Sequence, residues 1–203
     1  VSIGSVILQS SVNTFGAVII SAQTAARRIM AFALLPMTAI SASMTTFASQ
    51  NLGAKHPDRI VQGLRIGSRL SISWAVLVCI FLFFASPALV SFLASSTDNY
   101  LVENGSLYLK ISSGFYPILS LLLICRNCLQ GLGQKILPLV SSFIELIGKI
   151  AFVVLIIPWA GYKGVILCEP LIWVAMTIQL YFSLFRHPLI KEGKAILETK
   201  VSS

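Results

Sequence analysis

Long apolar runs separated by short polar connectors dominate the chain. The stretch 70–94, for example, contains no Lys, Arg, Asp or Glu, and an apolar run of about 18 or more residues can cross a bilayer as a helix. Apolar and polar residues do not alternate along these runs, as they would in the strands of a membrane β-barrel. Because every backbone N–H and C=O group inside lipid must be bonded within its own segment, the pattern predicts membrane-spanning α-helices.

The predicted fold class is an all-α membrane protein built as a six-transmembrane-helix bundle. The expected helix bounds are 1–22, 29–49, 67–94, 106–129, 136–158 and 164–185, with Gly and Pro in or beside the connectors. Residues 1–186 are expected to form this six-helix lobe, and residues 187–203 a basic tail. The chain opens inside apolar sequence at Val1, so we expect a truncated first helix and a fragment of a longer protein.

Two similar four-residue motifs lie at the ends of predicted helices and are expected to terminate them. Residues 50–53 read QNLG and residues 130–133 read QGLG. Glycine at the end of a helix can adopt the left-handed conformation that stops it. We therefore expect Gly53 and Gly133 to terminate the second and fourth helices.

The composition of the chain agrees with a lipid environment. Hydrophobic residues make up 56% of the 203 residues and charged residues only 11%, whereas a soluble domain carries about 25% charged residues. So few charges cannot cover a water-facing surface. The net charge of +8 does not indicate a nucleic-acid partner, because the basic residues lie in short segments between apolar runs, where they set orientation.

The positions of Lys and Arg predict how the lobe is oriented. One side of the predicted bundle carries ten basic residues, namely Lys55, Arg59, Arg65, Arg69, Arg126, Lys135, Arg186, Lys191, Lys194 and Lys200. The other side carries four, namely Arg27, Arg28, Lys110 and Lys163. Because cytoplasmic connectors carry an excess of Lys and Arg, we expect the first side and the carboxy-terminal tail to be cytoplasmic. Arg27 and Arg28 fit this pattern poorly, and we expect them to turn inward or to reach the head groups.

Charged side chains within the predicted helices are the main candidate functional residues, because a charge near the centre of a span costs about 2.5–3.5 kcal/mol. Glu145 and Lys149 lie one turn apart in the fifth helix and are predicted to form an ion pair on one face. This pair either holds the helix against the bundle, or lets Glu145 exchange a proton or cation while Lys149 tunes it. Glu169, with Pro170 and Trp173 close behind it, either lines a cavity or reaches the membrane interface.

Other polar residues offer weaker signals. Gln9 and Asn13 are one turn apart in the first helix and form either a polar stripe toward a lumen or hydrogen bonds between helices. The four cysteines all lie in apolar runs and are predicted to pack as small apolar residues. The sequence contains no nucleophile–base pair, metal-ligand cluster or Gly-rich phosphate loop. It therefore predicts no enzymatic activity, no metal site and no organic cofactor.

Three motifs, taken in order, resemble the multidrug and toxic compound extrusion (MATE) family. The first is the segment 50–69, beginning QNLGAKHPDRI, with Ser49 where the family usually has Gly. The second is the segment 126–133, RNCLQGLG, with Glu145 and Lys149 in the next helix. The third is the turn 161–164, GYKG, which precedes Glu169. Together these motifs cover nearly the whole chain, which thus resembles the carboxy-terminal six-helix lobe of a twelve-helix transporter.

The resemblance implies a secondary active efflux transporter. Such a protein exports organic cations or drugs by proton- or sodium-coupled antiport, with alternating access between two lobes. The implied partners are a small cationic substrate, membrane lipid and the amino-terminal lobe of the same transporter. The implied location is the plasma membrane, as a multi-pass protein.

One feature departs from the family pattern. Some members resemble one another in having carboxylates in the seventh and tenth helices for cation coupling. The corresponding first and fourth helices here contain neither Asp nor Glu, and the tenth-helix position falls near Leu119. Either Glu145 or Glu169 replaces these carboxylates, or the coupling site lies in the other lobe, which we favour.

Two further functions stay open at this point. A lipid-linked sugar flippase of the same superfamily would need a larger and more basic cavity, whereas Lys149 is essentially the one basic residue deep within a predicted span. A membrane subunit that transports nothing would tolerate the loss of Glu145 apart from an effect on stability.

Overall fold

Helices make up nearly all of the computed structural model, which describes residues 3–95 and 98–202. In chain order they are α1 (Ile3–Asn13), α2 (Ala17–Gly53), α3 (Pro57–Ala94), α4 (Asn99–Gly114), α5 (Tyr116–Gly131), α6 (Ile136–Ala151), a π-helical turn (Phe152–Ile156), α7 (Ile157–Ala160), α8 (Tyr162–Arg186) and α9 (Pro188–Ser202). No strand occurs within these described ranges. The predicted all-α membrane fold class is confirmed.

Six helical units lie within residues 3–95 and 98–186 when α4 is counted with α5, and α6 with the π turn and α7. In the part of the chain that the structure describes, four units are long and apolar enough to cross a membrane: α2, α3, α6 through α7, and α8. The α4–α5 pair, bent by 52°, meets the same criterion when its two helices are counted as one span. The described part of α1 has 11 residues, fewer than the about 20 that a complete span needs.

The first connector lies at Gly16, and the predicted break between residues 22 and 29 is wrong. Here α1 ends at Asn13 and α2 runs without interruption through Arg27 and Arg28. Gly16 has a φ of +91°, a left-handed conformation that glycine adopts without steric cost. Alanine-rich sequence just before Arg27 favours helix, so the two arginines lie within α2 and not in a loop.

Two other predicted helix bounds also differ from the structure. The helix α3 begins at Pro57, ten residues before the predicted start at residue 67, because proline suits the first helical turn, where its missing N–H needs no partner. The predicted helix 106–129 begins earlier, at Asn99, and is interrupted at Phe115. Since Pro117 cannot donate a backbone hydrogen bond, it ends one helix and starts the next.

The two four-residue motifs end their helices in different ways. Gly133 has a φ of +77° after α5, as expected. The expectation for Gly53 is wrong, because the left-handed residue after α2 is Lys55, with a φ of +58°. The N–H of His56 donates to the carbonyl oxygen of Asn51 at 2.9 Å, so the stop is completed beyond Gly53.

Glycine also allows α2 and α5 to approach closely. A Cβ atom placed on Gly131 would lie 2.5 Å from the carbonyl oxygen of Thr45. In the same contact the Thr45 hydroxyl donates to Oδ1 of Asn127 at 3.0 Å. Small residues and short polar bonds of this kind hold membrane helices together.

The segment after Arg186, predicted as a basic tail, forms α9 and packs against the start of α3. Ile190 and Leu197 are buried there, and Gly193 lies against the carbonyl oxygen of Pro57. The Nζ atom of Lys200 lies 2.7 Å from Oδ2 of Asp58. The position of α9 is therefore fixed by both apolar and charged contacts.

We expect Gly131→Ala to destabilise the lobe by about 1–3 kcal/mol, because overpacking of a tight contact costs this much and the new methyl group could be accommodated only by separating α2 from α5. Thermal unfolding of the detergent-purified protein measures the effect as a lower melting temperature. Gly114→Ala is the matched control, since among the described residues nothing lies within 4 Å of a Cβ there. Equal melting temperatures for the two variants would contradict this account of the contact.

Candidate functional site

The helix α6 turns a partly polar face toward the bundle and an apolar face outward. Ser141 and Lys149 are buried, and Glu145 between them is partly buried. Exposed large apolar side chains occupy the opposite face, namely Ile136, Leu139, Phe143 and Ile147. This division follows the period of about 3.6 residues expected of a half-buried helix.

Glu145 and Lys149 form an ion pair within α6, in the geometry that their spacing predicts. The Nζ atom of Lys149 lies 2.7 Å from Oε1 of Glu145. The Lys149 side chain is 5% exposed, whereas that of Glu145 is 30% exposed. The carboxylate is thus the more accessible partner, and the ammonium group is held inside the bundle.

Lys149 also connects α6 to α1. Its Nζ atom donates to the hydroxyl oxygen of Ser5 at 3.3 Å. The aliphatic stem of Lys149 packs against α1, since a Cβ atom on Gly4 would lie 3.0 Å from the Lys149 Cδ atom. One lysine therefore holds both the carboxylate of its own helix and the neighbouring helix.

Glu169 lies between three helices. Its Oε1 atom is 3.6 Å from Nη2 of Arg27 on α2, and its Oε2 atom accepts a hydrogen bond from the Tyr108 hydroxyl on α4 at 3.1 Å. The Glu169 side chain is 17% exposed. Trp173, one turn further along α8, packs against the buried core. Both carboxylate oxygens are thus engaged, which ties α8 to α2 and α4.

Arg27 turns inward, which is one of the two alternatives expected from the sequence. Arg28 is exposed. Gln23, one turn earlier on the same face of α2, is buried. Within residues 3–95 and 98–202, neither amide atom of Gln23 has a hydrogen-bond partner. Arg27, Glu169 and Gln23 therefore make this contact between α2, α4 and α8 polar in an otherwise apolar core.

Gln9 and Asn13 bond to each other along α1. The Nε2 atom of Gln9 donates to Oδ1 of Asn13 at 3.2 Å, and Asn13 is exposed. This bond runs within one helix. It does not link α1 to a neighbour, so the possibility of a polar stripe along α1 stays a prediction.

The predicted candidates thus fall into separate groups. Glu145 and Lys149 lie together, Glu169 lies with Arg27, and the α1 pair stands apart. Cys168, adjacent to Glu169 on α8, is buried. One ion pair thus includes a residue of α8, and the other lies on α6, which packs against α8.

Sequence reasoning missed the role of Tyr108 and the pairing of Arg27 with Glu169. One signal was available for the pairing. Arg27 is a charged residue that precedes a long, largely apolar run, and Glu169 is an acidic residue within another apolar run. Charges at such depth require partners, although the sequence does not specify which ones.

Comparison with known proteins identifies the family to which the chain belongs. The MatE family model matches residues 1–155, which is well over half of the chain, and the chain belongs to this family. A solved MATE transporter structure has a TM-score of 0.79 with this chain at 14% sequence identity, and the match covers 92% of this chain and 42% of the other. The likeness shows that the two share a fold.

Two curated relatives are similar in sequence. A FAD transporter of Shewanella oneidensis is 29% identical over 171 residues, which is 80% of this chain and 36% of the relative. The probable multidrug resistance protein YpnP of Bacillus subtilis is 25% identical over 163 residues, again 80% of this chain and 36% of the relative. The chain thus spans little more than a third of the length of these relatives.

We expect Arg27→Gln and Glu169→Gln each to lower the free energy of unfolding by about 1–3 kcal/mol. Each change leaves one charge inside the bundle without its partner, although partial exposure reduces the cost. The double variant should lose less than the sum of the two single losses, because it removes both charges together. Chemical denaturation in detergent measures all three values.

Arg28→Gln is the control for this cycle, since Arg28 is adjacent but exposed. It should change the free energy of unfolding by no more than about 0.5 kcal/mol. Strict additivity of the Arg27 and Glu169 effects would show that the two side chains are not directly coupled.

Proposed function

We propose that this chain forms one lobe of a secondary active efflux transporter, which exports organic cations or drugs by proton- or sodium-coupled antiport. Membership of the MatE family and the relative named as a probable multidrug resistance protein support this proposal. The second lobe is the amino-terminal one of the same transporter. The two lobes expose a central site alternately to the two sides of the membrane.

The Glu145–Lys149 ion pair is the observation on which the coupling mechanism depends, and it leads us to propose Glu145 in place of the site in the other lobe that the sequence favoured. A coupling carboxylate must be reachable and must have a partner that can be displaced. Glu145 meets both requirements, because it is 30% exposed and is bound through one oxygen by Lys149. Both oxygens of Glu169 are engaged, by Arg27 and Tyr108, so we assign that residue a structural role.

Binding of a proton or cation at Glu145 would change the contact between α6 and α1. A neutralised carboxylate leaves the buried Lys149 ammonium group without its counter-charge, which is unfavourable inside the bundle. Because Lys149 also bonds Ser5 on α1, a shift of α1 can relieve this cost. A ligand moves an equilibrium only through its different affinities for the two states, and Glu145 supplies that difference.

The connector between α1 and α2 is suited to such a shift. Gly16 breaks the helix in a left-handed conformation, so the axis of α1 is not fixed by that of α2. The ring of Phe15 packs edge-on against Tyr162 of α8, with 6.0 Å between ring centroids. This contact holds the connector in place while α1 changes its angle.

We propose that the lobe lies in the plasma membrane with α9 in the cytoplasm. Lys163 lies at the start of α8 and Arg186 at its end, so these two residues mark opposite ends of one span. The Arg186 end also carries α9 with its lysines. An excess of Lys and Arg marks the cytoplasmic side.

A second candidate substrate class is a flavin dinucleotide. The relative at 29% identity is a FAD transporter, and such an anion would need basic groups in the central site. Lys149 is 5% exposed and already paired, which favours a cationic substrate over this alternative.

Transport by the full-length protein in proteoliposomes distinguishes the candidates. Ethidium serves as the organic cation and FAD as the dinucleotide, each with and without an imposed proton or sodium gradient. Gradient-driven movement of ethidium supports the proposal. Movement of FAD alone would favour the second class, and movement of neither would contradict both.

We expect Glu145→Gln to reduce the stimulation of export by a proton gradient about fivefold or more, as loss of a typical coupling free energy would. Glutamine can still accept a hydrogen bond from Lys149 but cannot take up a proton. Export is measured across a series of external pH values. Glu198→Gln, which removes an exposed carboxylate on α9, should behave like the unchanged protein, and normal pH-dependent export by Glu145→Gln would refute the assigned role.

A further inference from the structure

A groove between α3, α5, α8 and α9 combines basic side chains with an apolar floor. Its volume is about 410 Å³. Arg65, Arg69 and Lys194 line it, and none of the described residues that line it is acidic. The buried side chains of Leu64 and Leu184 contribute to its floor. The groove therefore offers positive charge and an apolar surface together.

The two arginines of the groove are available to a ligand. Arg65 and Arg69 are one turn apart on α3, so their side chains lie on the same face, and both are exposed. Across residues 3–95 and 98–202, neither arginine forms an ion pair. Two like charges in this arrangement repel each other, and an anion between them would remove that cost.

Lys194, the third basic residue, is brought to the groove by the packing of α9 against α3. The helix α9 is docked on α3 through Gly193, which lies against the carbonyl oxygen of Pro57, and this brings Lys194 to the groove. The Nζ atom of Lys194 lies 4.1 Å from the centroid of the Phe185 ring, a cation–π contact that restricts the side chain. The positive charge of the groove thus comes from two separate helices.

The depth of the groove matches the boundary between head groups and hydrocarbon. Arg69 immediately precedes the charge-free stretch 70–94 of α3, which is long enough to cross the hydrocarbon core. Basic residues at this boundary face lipid head groups, and basic pockets between membrane helices bind anionic head groups. The floor contributed by Leu64 and Leu184 adjoins the start of this span.

We propose that this groove binds one anionic phospholipid, whose phosphate lies between Arg65, Arg69 and Lys194 and whose acyl chain covers the apolar floor. Charge complementarity favours an anionic head group over a zwitterionic one. The apolar floor favours a lipid over a soluble anion, which would leave that surface uncovered. The inference requires only the membrane setting, so it stands or falls independently of the transport proposal.

Native mass spectrometry of the full-length protein in neutral detergent tests the site. The protein is titrated with dioleoyl phosphatidylglycerol and, separately, with dioleoyl phosphatidylcholine. We expect saturable retention of one phosphatidylglycerol in preference to phosphatidylcholine. The double variant Arg65→Gln/Arg69→Gln should bind phosphatidylglycerol about tenfold or more weakly, since each basic residue near the surface contributes to anionic-lipid binding.

The matched control is Arg59→Gln/Lys191→Gln, which removes the same charge from exposed positions outside the groove. It should retain phosphatidylglycerol as the unchanged protein does. Melting temperatures measured without added lipid establish that the variants are folded. If the double variant in the groove fails to fold, Lys194→Gln alone replaces it, with Lys191→Gln as its control.

Three results would overturn the inference. Equal retention of phosphatidylglycerol and phosphatidylcholine would show an apolar groove without head-group recognition. Equal weakening in the groove and control variants would show a response to net charge only. Displacement of the lipid by inorganic phosphate at concentrations similar to those of the lipid would identify a soluble-anion site.

Discussion

A charge buried among apolar helices must have a partner, and much of this lobe follows from that constraint. A single unpaired charge at the centre of a span costs about 2.5–3.5 kcal/mol. The Arg27 side chain on α2 reaches its partner Glu169 on α8, and Lys149 meets Glu145 within α6 while also bonding Ser5 on α1. The charged residues therefore add side-chain links between α2 and α8 and between α6 and α1.

Apolar burial cannot determine those neighbours by itself. Lipid tails are as apolar as leucine side chains, so helices in a membrane gain little from hiding such side chains from lipid. Large apolar residues such as Phe32, Phe84 and Phe92 are accordingly left exposed on the outside of the lobe. Close backbone contacts and single polar bonds act between the helices instead. In one of these bonds, the indole N–H of Trp74 on α3 donates to the carbonyl oxygen of Ala33 on α2 at 3.0 Å.

The difference between local patterns and contacts of distant residues explains which features the sequence could predict. The helical class follows from the length of the apolar runs, and the Glu145–Lys149 pair follows from a spacing of four residues; both are local properties. The two adjacent arginines suggested a break in α2, because the partner of Arg27, Glu169, lies far away in the sequence and could not be identified from the pattern. The basic groove was missed for the same reason, since residues from α3, α5, α8 and α9 come together to form it.

The two ion pairs are suited to different roles, one as a cross-link between helices and the other as a bond that opens. A lobe that rocks as one body needs cross-links that persist, and Glu169 provides one, because both its oxygens are held by side chains from α2 and α4. A coupling site needs a different property, a bond that binding of a proton or cation can open. Glu145 has this property, since Lys149 binds one oxygen of its carboxylate and the side chain is partly accessible. Because its partner Lys149 also holds α1, opening this one bond would loosen a single helix while α2, α4 and α8 stay joined.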